Sequence, residues 1–212
     1  MKRIFSVLAL SVLLACGVAG MASAKTDPRQ CPRDIAKAID SADLAAFEKL
    51  VDLDGIIDEG VTLFITEMKK PANAQQLPPM LAMMFSRAAG QDDMGKSIRT
   101  MLAGESRAFI CNGVSSGAFA GRTPTGATQQ GLLAPLFANA SQGRKEIRSI
   151  GQPSAIGDGL WHVPFVIHDG GNDQDYPIVG LVSQTGSGLR LVAIDNFADL
   201  FNRIAAESRN VQ

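Results

Sequence analysis

Two short glycine-bearing segments, residues 169–172 and 185–188, interrupt the apolar last third of this chain. Parallel strands need a crossover of a dozen residues or more, so strands joined by such short turns must pair antiparallel. The alternation of apolar residues in this part of the chain predicts four strands. They span residues 145–151, 160–168, 176–183 and 189–194.

The second predicted strand indicates how the sheet is buried. Four apolar side chains alternate along it and share one face, which we expect to be covered. These are Trp161, Val163, Phe165 and Ile167. Pro164 in the same strand and Pro177 in the next cannot donate a ladder hydrogen bond, which indicates an edge or a bulge in the sheet.

Before residue 141, apolar residues recur at helical spacing instead. A first helix holds Pro32 in its first turn, and a second opens at Ser41 and Asp43. Asp54 is expected to cap a third helix. Further helices are predicted over residues 80–89, from about residue 93 through residue 109, over residues 132–140, and after Asp195 or Asn196.

Helices that precede an antiparallel sheet are typical of the α+β class. The sequence therefore predicts N-terminal helices packed on a C-terminal sheet of about four strands, with a closing helix at the C-terminus. Residues 25–212 are of a size that suits one domain.

The first 24 residues have the features of a signal peptide. Lys2 and Arg3 precede an apolar run, and Ala22-Ser23-Ala24 forms the small-x-small pattern at which a signal peptidase cuts. A second interpretation stays open, because residues 13–16 resemble a lipobox that would be acylated at Cys16. Both interpretations predict an exported protein that is periplasmic or secreted, with a membrane anchor only in the second.

Cys31 and Cys111 are the two cysteines beyond this segment. An oxidising compartment favours a structural disulfide between them. A redox pair would more often show Cys-x-x-Cys spacing, which these two cysteines lack.

The charge of the chain argues against two classes of partner. The net charge is −1 for the whole chain and −3 without residues 1–24, with no run of like charges and no basic stripe. Nucleic acid is therefore not expected as a partner, and a membrane is expected only through the possible lipid anchor. No phosphate-binding loop, dinucleotide fingerprint or zinc-ligand cluster is present, and we expect no cofactor.

The segment of residues 35–57 runs from a short helix through Asp-Ser-Ala-Asp into Leu-Ala-Ala-Phe and then Val-Asp-Leu-Asp-Gly-Ile-Ile. This segment and the closing residues 189–197 resemble uncharacterised bacterial envelope proteins of the nuclear-transport-factor-2-like superfamily. The resemblance implies helices packed into the concave face of a curved sheet, often around a pocket. The superfamily includes enzymes and binding domains, so the resemblance does not select a function.

Residues 113–117 read Gly-Val-Ser-Ser-Gly and match the nucleophile-elbow pattern of serine hydrolases. That elbow needs a strand-to-helix turn, whereas these residues follow a helical pattern and open a glycine-rich stretch, residues 113–131, that predicts mostly loop. A small serine hydrolase that uses Ser115, with His162 as the base, is nevertheless the alternative function that this motif suggests. His162 and His168 share one face of a strand about 20 Å apart, which is too far to act on one atom.

Two further groups of residues suggest a ligand. Asp169, Asp173 and Asp175 offer oxygen ligands for calcium, although Asp, Asn and Gly are also the residues that a hairpin turn requires. The other group, Met80, Met83 and Met84, lies on one predicted helical face. Thioethers can bind copper(I), and methionines also line flexible apolar binding surfaces or fill cores.

Few residues of this chain are suited to catalysis: it has two separated histidines, one tyrosine, and cysteines expected to pair. The sequence therefore favours a non-catalytic exported domain that binds an apolar small molecule or an envelope protein, with the three methionines as the candidate binding residues.

Overall fold

The protein is seen in a computed structural model that describes residues 26–70, 79–88, 92–123 and 143–210. The predicted signal segment with Cys16 and the helix predicted over residues 132–140 lie outside these residues. Within them, helices come first, an antiparallel sheet of five strands follows, and a helix closes the chain. This arrangement confirms the predicted α+β class.

Three helices form the first layer: α1 (Gln30–Ser41), α2 (Leu44–Leu50) and α3 (Leu53–Met68). α1 ends at Ala42, whose φ of 58° is left-handed. Of the two residues predicted to open α2, Asp43 caps it, because its side chain accepts a 2.9 Å hydrogen bond from the Ala46 N–H, whereas Ser41 is the last residue of α1. Asp52 rather than Asp54 precedes the first turn of α3, so the predicted start of that helix was two residues too late.

Two further helices, α4 (Pro79–Ala88) and α5 (Asp92–Ser115), follow. α5 is longer than predicted, since it includes residues 113–115, which were expected to be loop. It ends at Ser115, and the chain turns at Gly117, whose φ of 74° is left-handed and whose N–H donates to the Val114 carbonyl at 3.0 Å. This is the left-handed glycine termination common at helix C-termini.

The sheet contains β1 (Lys145–Arg148), β2 (Ser154–Gly157), β3 (Leu160–Asp169), β4 (Gln174–Thr185) and β5 (Gly188–Ile194). Its order is β1-β3-β4-β5, and β2 pairs with the same edge of β3 as β1. All of these pairs are antiparallel, as the short turns predicted. β2 was not predicted from the sequence.

Each predicted irregularity at a proline has a structural cause. On the β1/β2 side of β3, β1 pairs up to Val166 and β2 begins opposite His162, which leaves Pro164 between the two partners. There the Pro164 carbonyl accepts from the Gly151 N–H at 2.8 Å. Pro177 lies beyond the last residue that β5 pairs in β4, so its missing N–H breaks no ladder bond on that side.

One face of the sheet packs against the helices. Val163 and Val182 are 0 % exposed and Phe165 is 4 % exposed. Trp161 and Ile167, which share this face, are partly buried and pack against the core. The predicted inward face of β3 is thus confirmed. The final helix, α6 (Phe197–Asn210), adds Leu200 to a core with Phe165 and Ile178.

The N-terminal helices are attached directly to the last strand. Val51 forms a parallel bridge with Leu191, and the Asp52 N–H donates to the Leu191 carbonyl at 2.8 Å. Arg190 adds hydrogen bonds to the Val51 carbonyl and to Asp52. The outer edge of β5 is therefore joined to the chain between α2 and α3. In the described part of the chain, no helix has the length and apolar character needed to cross a membrane.

Candidate functional site

The Gly-Val-Ser-Ser-Gly segment is a helix end rather than a strand-to-helix turn. Ser115 is the last residue of α5 and is exposed. Gly113 lies under the Phe119 ring: a Cβ at this position would be 2.5 Å from two of the ring carbons and closer to a third. Gly117 supplies the left-handed helix termination. Both glycines of the motif therefore have packing or backbone roles.

This geometry differs from that of a serine nucleophile in two ways. The C-terminal end of a helix presents carbonyl groups and negative dipole charge, whereas an oxyanion needs N–H donors. The proposed base is also engaged elsewhere, because His162 Nε2 contacts Asp195 Oδ2. No hydrogen bond joins Ser115 and His162 among the contacts of the described residues.

Both histidines of the chain lie on the outward side of β3 and contact aspartates. His162 contacts Asp195, the residue after β5, across the intervening strand β4. The Asp195 backbone is itself fixed, since its N–H donates to the Val179 carbonyl at 2.9 Å. The His162–Asp195 contact therefore links the central strand to the junction between β5 and α6.

His168 has an acidic environment at the opposite end of β3. Its Nδ1 is 2.8 Å from Asp175 Oδ1, and its Nε2 is 3.7 Å from Asp173 Oδ1. Glu146 is its direct partner on β1. A hydrogen bond from the Arg148 side chain lowers the pKa of Glu146, so this carboxylate keeps its negative charge in mildly acidic solution.

The structure does not assemble the aspartates that were candidates for calcium binding. Asp169 lies 2.5 Å from Lys145 Nζ, and the side chains of both residues are only 13–14 % exposed. Asp173 and Asp175 instead contact His168, on the other side of the sheet. Within the described residues, no group of three or more His, Cys, Asp or Glu side chains could hold a metal ion.

The three candidate methionines of α4 divide between two environments. Met80 is 57 % exposed and Met83 is 48 % exposed, whereas Leu81 is fully buried. Met84 is partly buried and packs against the core. α4 therefore presents two large apolar side chains on its outer surface, and the third methionine contributes to packing.

The predicted disulfide is not formed in the structure, where Cys31 and Cys111 are both free thiols. Burial, together with the charge of Asp34, raises the pKa of the Cys31 thiol to about 12. Cys111 has different neighbours, because it lies beside Arg107 and 4.0 Å from Glu48 Oε1. Its pKa is also raised, chiefly by burial. Neither thiol has the lowered pKa of a reactive cysteine.

An apolar strip covers the centre of the sheet on the side away from the described helices. Five partly exposed residues of β3, β4 and β5 form it: Pro164, Val166, Val179, Leu181 and Ala193. We call this strip the open face. None of the five belongs to either hydrophobic core of the described residues. The His162–Asp195 contact crosses this strip, because Leu181 lies opposite His162 and the Asp195 N–H bonds to Val179. The acidic group around His168 lies beyond Val166 at one end of the strip.

The sequence pointed to the histidines but missed their partners and the open face. His162 and His168 were placed on one strand face, as the structure shows. Asp195 was interpreted only as a helix cap, because its contact with His162 depends on how β5 pairs with β4. The alternation of Pro164 and Val166 with the inward residues of β3 was a signal that could have revealed the strip.

No protein-family model, no curated protein and no solved structure matches this chain. The resemblance to the nuclear-transport-factor-2-like superfamily therefore stays a prediction.

Proposed function

We propose that this protein is an exported, non-catalytic domain that binds an envelope protein through the open face of its sheet. The observation that supports this function is the apolar character of that face. An antiparallel sheet with one side in water normally alternates apolar inward residues with polar outward ones. Here five outward positions are apolar instead, two on β3, two on β4 and one on β5.

Contiguous apolar surface of this kind is typical of a site that another molecule covers. A protein partner fits better than a small molecule, because the five side chains lie across three neighbouring strands on an outward surface. The outer surface of α4, with Met80 and Met83, is a second apolar surface that a partner could contact. Methionine is frequent on such surfaces because its flexible side chain adapts to different shapes.

Catalysis has less support from the described residues. No polar or charged residue among them is buried in the core. Catalytic groups are usually partly desolvated in a cleft, where their pKa values are shifted to suit the reaction. The His162 and His168 rings contact aspartates on the outward side of the sheet, and Ser115 lies at a helix C-terminus. The serine hydrolase thus remains the less favoured function.

Site-specific photo-crosslinking tests the proposal. A benzophenone amino acid would replace Val179 on the open face and, in the control protein, Ile204, which is 54 % exposed on α6. We expect a discrete adduct with one envelope protein from position 179 and not from position 204. The partner would then be identified by mass spectrometry and its binding reproduced with both purified proteins.

Equal adducts from positions 179 and 204, or none from either, would contradict the proposal. Lipid extraction of the purified protein tests the other ligand class expected from the sequence. A stoichiometric bound lipid that is lost on replacing Val166 or Leu181 with a polar residue would favour an apolar small molecule over a protein.

A further inference from the structure

The chain contains three Asp-Gly sequences, at residues 54–55, 158–159 and 169–170, and one Asn-Gly sequence at residues 112–113. We propose that in the folded protein Asp158 is the one of these four sites that isomerises spontaneously to isoaspartate. The reaction needs no enzyme, metal or cofactor. It depends on whether the backbone can rotate at the site, so the fold selects the residue that reacts. This inference is independent of the proposed binding function.

Isomerisation begins when the backbone nitrogen of the glycine attacks the side-chain carbonyl carbon of the residue before it. A C–N bond forms, one carboxyl oxygen leaves as water with the carboxyl and amide protons, and a five-membered succinimide ring results. Water then opens the ring. Attack at the side-chain carbonyl restores aspartate, whereas attack at the main-chain carbonyl gives isoaspartate, whose main chain runs through Cβ and Cγ. Glycine favours the first step because it has no side chain to obstruct the ring.

The peptide group between Asp158 and Gly159 is able to rotate for this reaction. Ring closure needs a ψ outside the helical and strand ranges, and these two residues form a turn inside the Gly157–Leu160 pair that closes the β2–β3 hairpin. Neither the Asp158 carbonyl nor the Gly159 N–H makes a backbone hydrogen bond with any described residue. The Gly159 carbonyl, which accepts from the Gln184 N–H at 2.7 Å, belongs to the next peptide group.

The Asp158 side chain is also available. It is exposed, and among the described residues it has no ion pair or side-chain hydrogen bond. Its carboxyl group can therefore turn towards the Gly159 nitrogen without losing a contact.

At Asp169-Gly170 both reacting groups are engaged. The Gly170 N–H donates to the Arg144 carbonyl at 2.8 Å. The Asp169 carboxylate lies 2.5 Å from Lys145 Nζ, accepts from the Gly171 N–H at 2.8 Å and is only 13 % exposed. Ring closure would break these contacts together, so we expect this site to be protected.

The other two sites lie within helices. Asp54-Gly55 belongs to α3 and Asn112-Gly113 to α5. Rotation of a helical peptide group breaks the hydrogen bonds that define the helix. Arg107 also holds the Asp54 carboxylate at 2.6 Å, and Gly113 is buried under the Phe119 ring. These contacts protect both sites.

Isoaspartate would alter the β2–β3 hairpin, because it adds one carbon atom to the main chain between Gly157 and Leu160. β2 has only four residues, all of them exposed, and pairs with β3 alone. We therefore expect β2 to lose its register with β3 in the isomerised protein. Hydrogen exchange over residues 154–157 should become faster, and unchanged exchange would contradict this consequence.

Peptide mapping of the full chain tests the proposal. The protein would be incubated at neutral pH, both folded and unfolded in guanidinium, and digested. Isoaspartyl peptides separate chromatographically from aspartyl peptides of the same mass and are identified by electron-transfer fragmentation. In the folded protein, isoaspartate should form at Asp158 at least about ten-fold faster than at Asp54 or Asp169, a barrier difference of about 1.4 kcal/mol. In the unfolded protein the three rates should be similar.

Two variants test the mechanism. Asp158→Glu should abolish the product at this position, because glutamate would have to close a six-membered ring. Asp158→Asn should react faster through the same ring with loss of ammonia, because a neutral amide is a better electrophile than a carboxylate. Asn112 in that protein is the matched control, and its deamidation should be at least about ten-fold slower. Circular dichroism would confirm that both variants are folded.

Equal isoaspartate at the three aspartates of the folded protein would overturn the proposal. Formation at none of them in the folded protein, while the unfolded protein forms it at all three, would also overturn it. An Asp158→Asn protein that deamidates at Asn112 as fast as at position 158 would show that the turn has no special reactivity.

Discussion

Replacing Gly113 with alanine should destabilise this protein, although helix propensity alone predicts the opposite. Gly113 lies within α5, where alanine is intrinsically favoured over glycine by up to about 1 kcal/mol. The new Cβ, however, would lie 2.5 Å from Cε1 and Cε2 of Phe119, and closer to Cζ. The ring would therefore have to move.

The surroundings of Phe119 make that movement costly. Its N–H donates to the Gly113 carbonyl at 2.9 Å, and its own carbonyl accepts from the Lys145 N–H at 2.8 Å. Its ring also packs edge-on against Phe109, with centroids 5.5 Å apart. Overpacking of this kind costs about 1–3 kcal/mol, and the fixed backbone favours the upper part of that range. After subtraction of the propensity gain, we expect a net loss of about 1–2 kcal/mol.

Gly104 provides a matched control in the same helix. It is exposed, and a Cβ at this position would meet no atom within 4 Å. Gly104→Ala should therefore stabilise the protein by about 0.5–1 kcal/mol. Guanidinium denaturation followed by circular dichroism measures both variants, provided that the m-value is unchanged. A Gly113→Ala protein as stable as the Gly104→Ala protein would refute the reasoning. Phe119→Ala should in turn remove the penalty of Gly113→Ala in the double variant.

Three further predictions concern the thiols and the ion pairs. The thiol of Cys31 is 0 % exposed and has its pKa raised to about 12, so the folded state retains a proton that the unfolded state loses above about pH 9. The contribution of this thiol to the free energy of unfolding should be fully present below about pH 9 and be lost as the pH rises towards 12, by roughly 4 kcal/mol at most. Cys31→Ala should flatten this decline, and a pH dependence that the substitution leaves unchanged would disprove the prediction. Asp169→Asn breaks the nearly buried pair with Lys145 and should cost about 2–3 kcal/mol in chemical denaturation, and a cost under about 0.5 kcal/mol would show that the pair is immaterial. Arg107 is 40 % exposed and contacts Glu48 at 2.6 Å. A double-mutant cycle should therefore give a coupling free energy between the two side chains of only about 0.5–1 kcal/mol. A coupling above about 2 kcal/mol would contradict this prediction.

The sequence was sufficient for the features that depend on local chemistry. The short turns determined antiparallel pairing, and the alternation along β3 identified Val163 and Phe165 as inward residues. Asp43 was recognised as a cap because capping involves only neighbouring residues. These signals are carried by adjacent positions, so a single sequence contains them.

Features that depend on distant partners could not be predicted. β2 is only four residues long, follows Pro153, and is a strand because β3 pairs with it. The last turn of α5 was predicted to be loop because residues 113–131 are rich in glycine, serine and threonine, whereas it is helical and lies against Phe119. The partner of His162 depends on a contact between β3 and the end of β5. Each of these features requires tertiary contacts that local patterns do not encode.

The bridge between Val51 and Leu191 has a consequence for the order in which the chain acquires its structure. During synthesis at 5–20 residues per second, residue 191 is made roughly 7 to 28 s after residue 51. Until then α1, α2 and α3 lack the strand against which Val51 and Asp52 bond, and their apolar sides have no sheet to cover them. Contacts so distant in sequence slow folding. The nascent chain therefore has a long interval in which the apolar sides of these helices are uncovered by the sheet and accessible to chaperones.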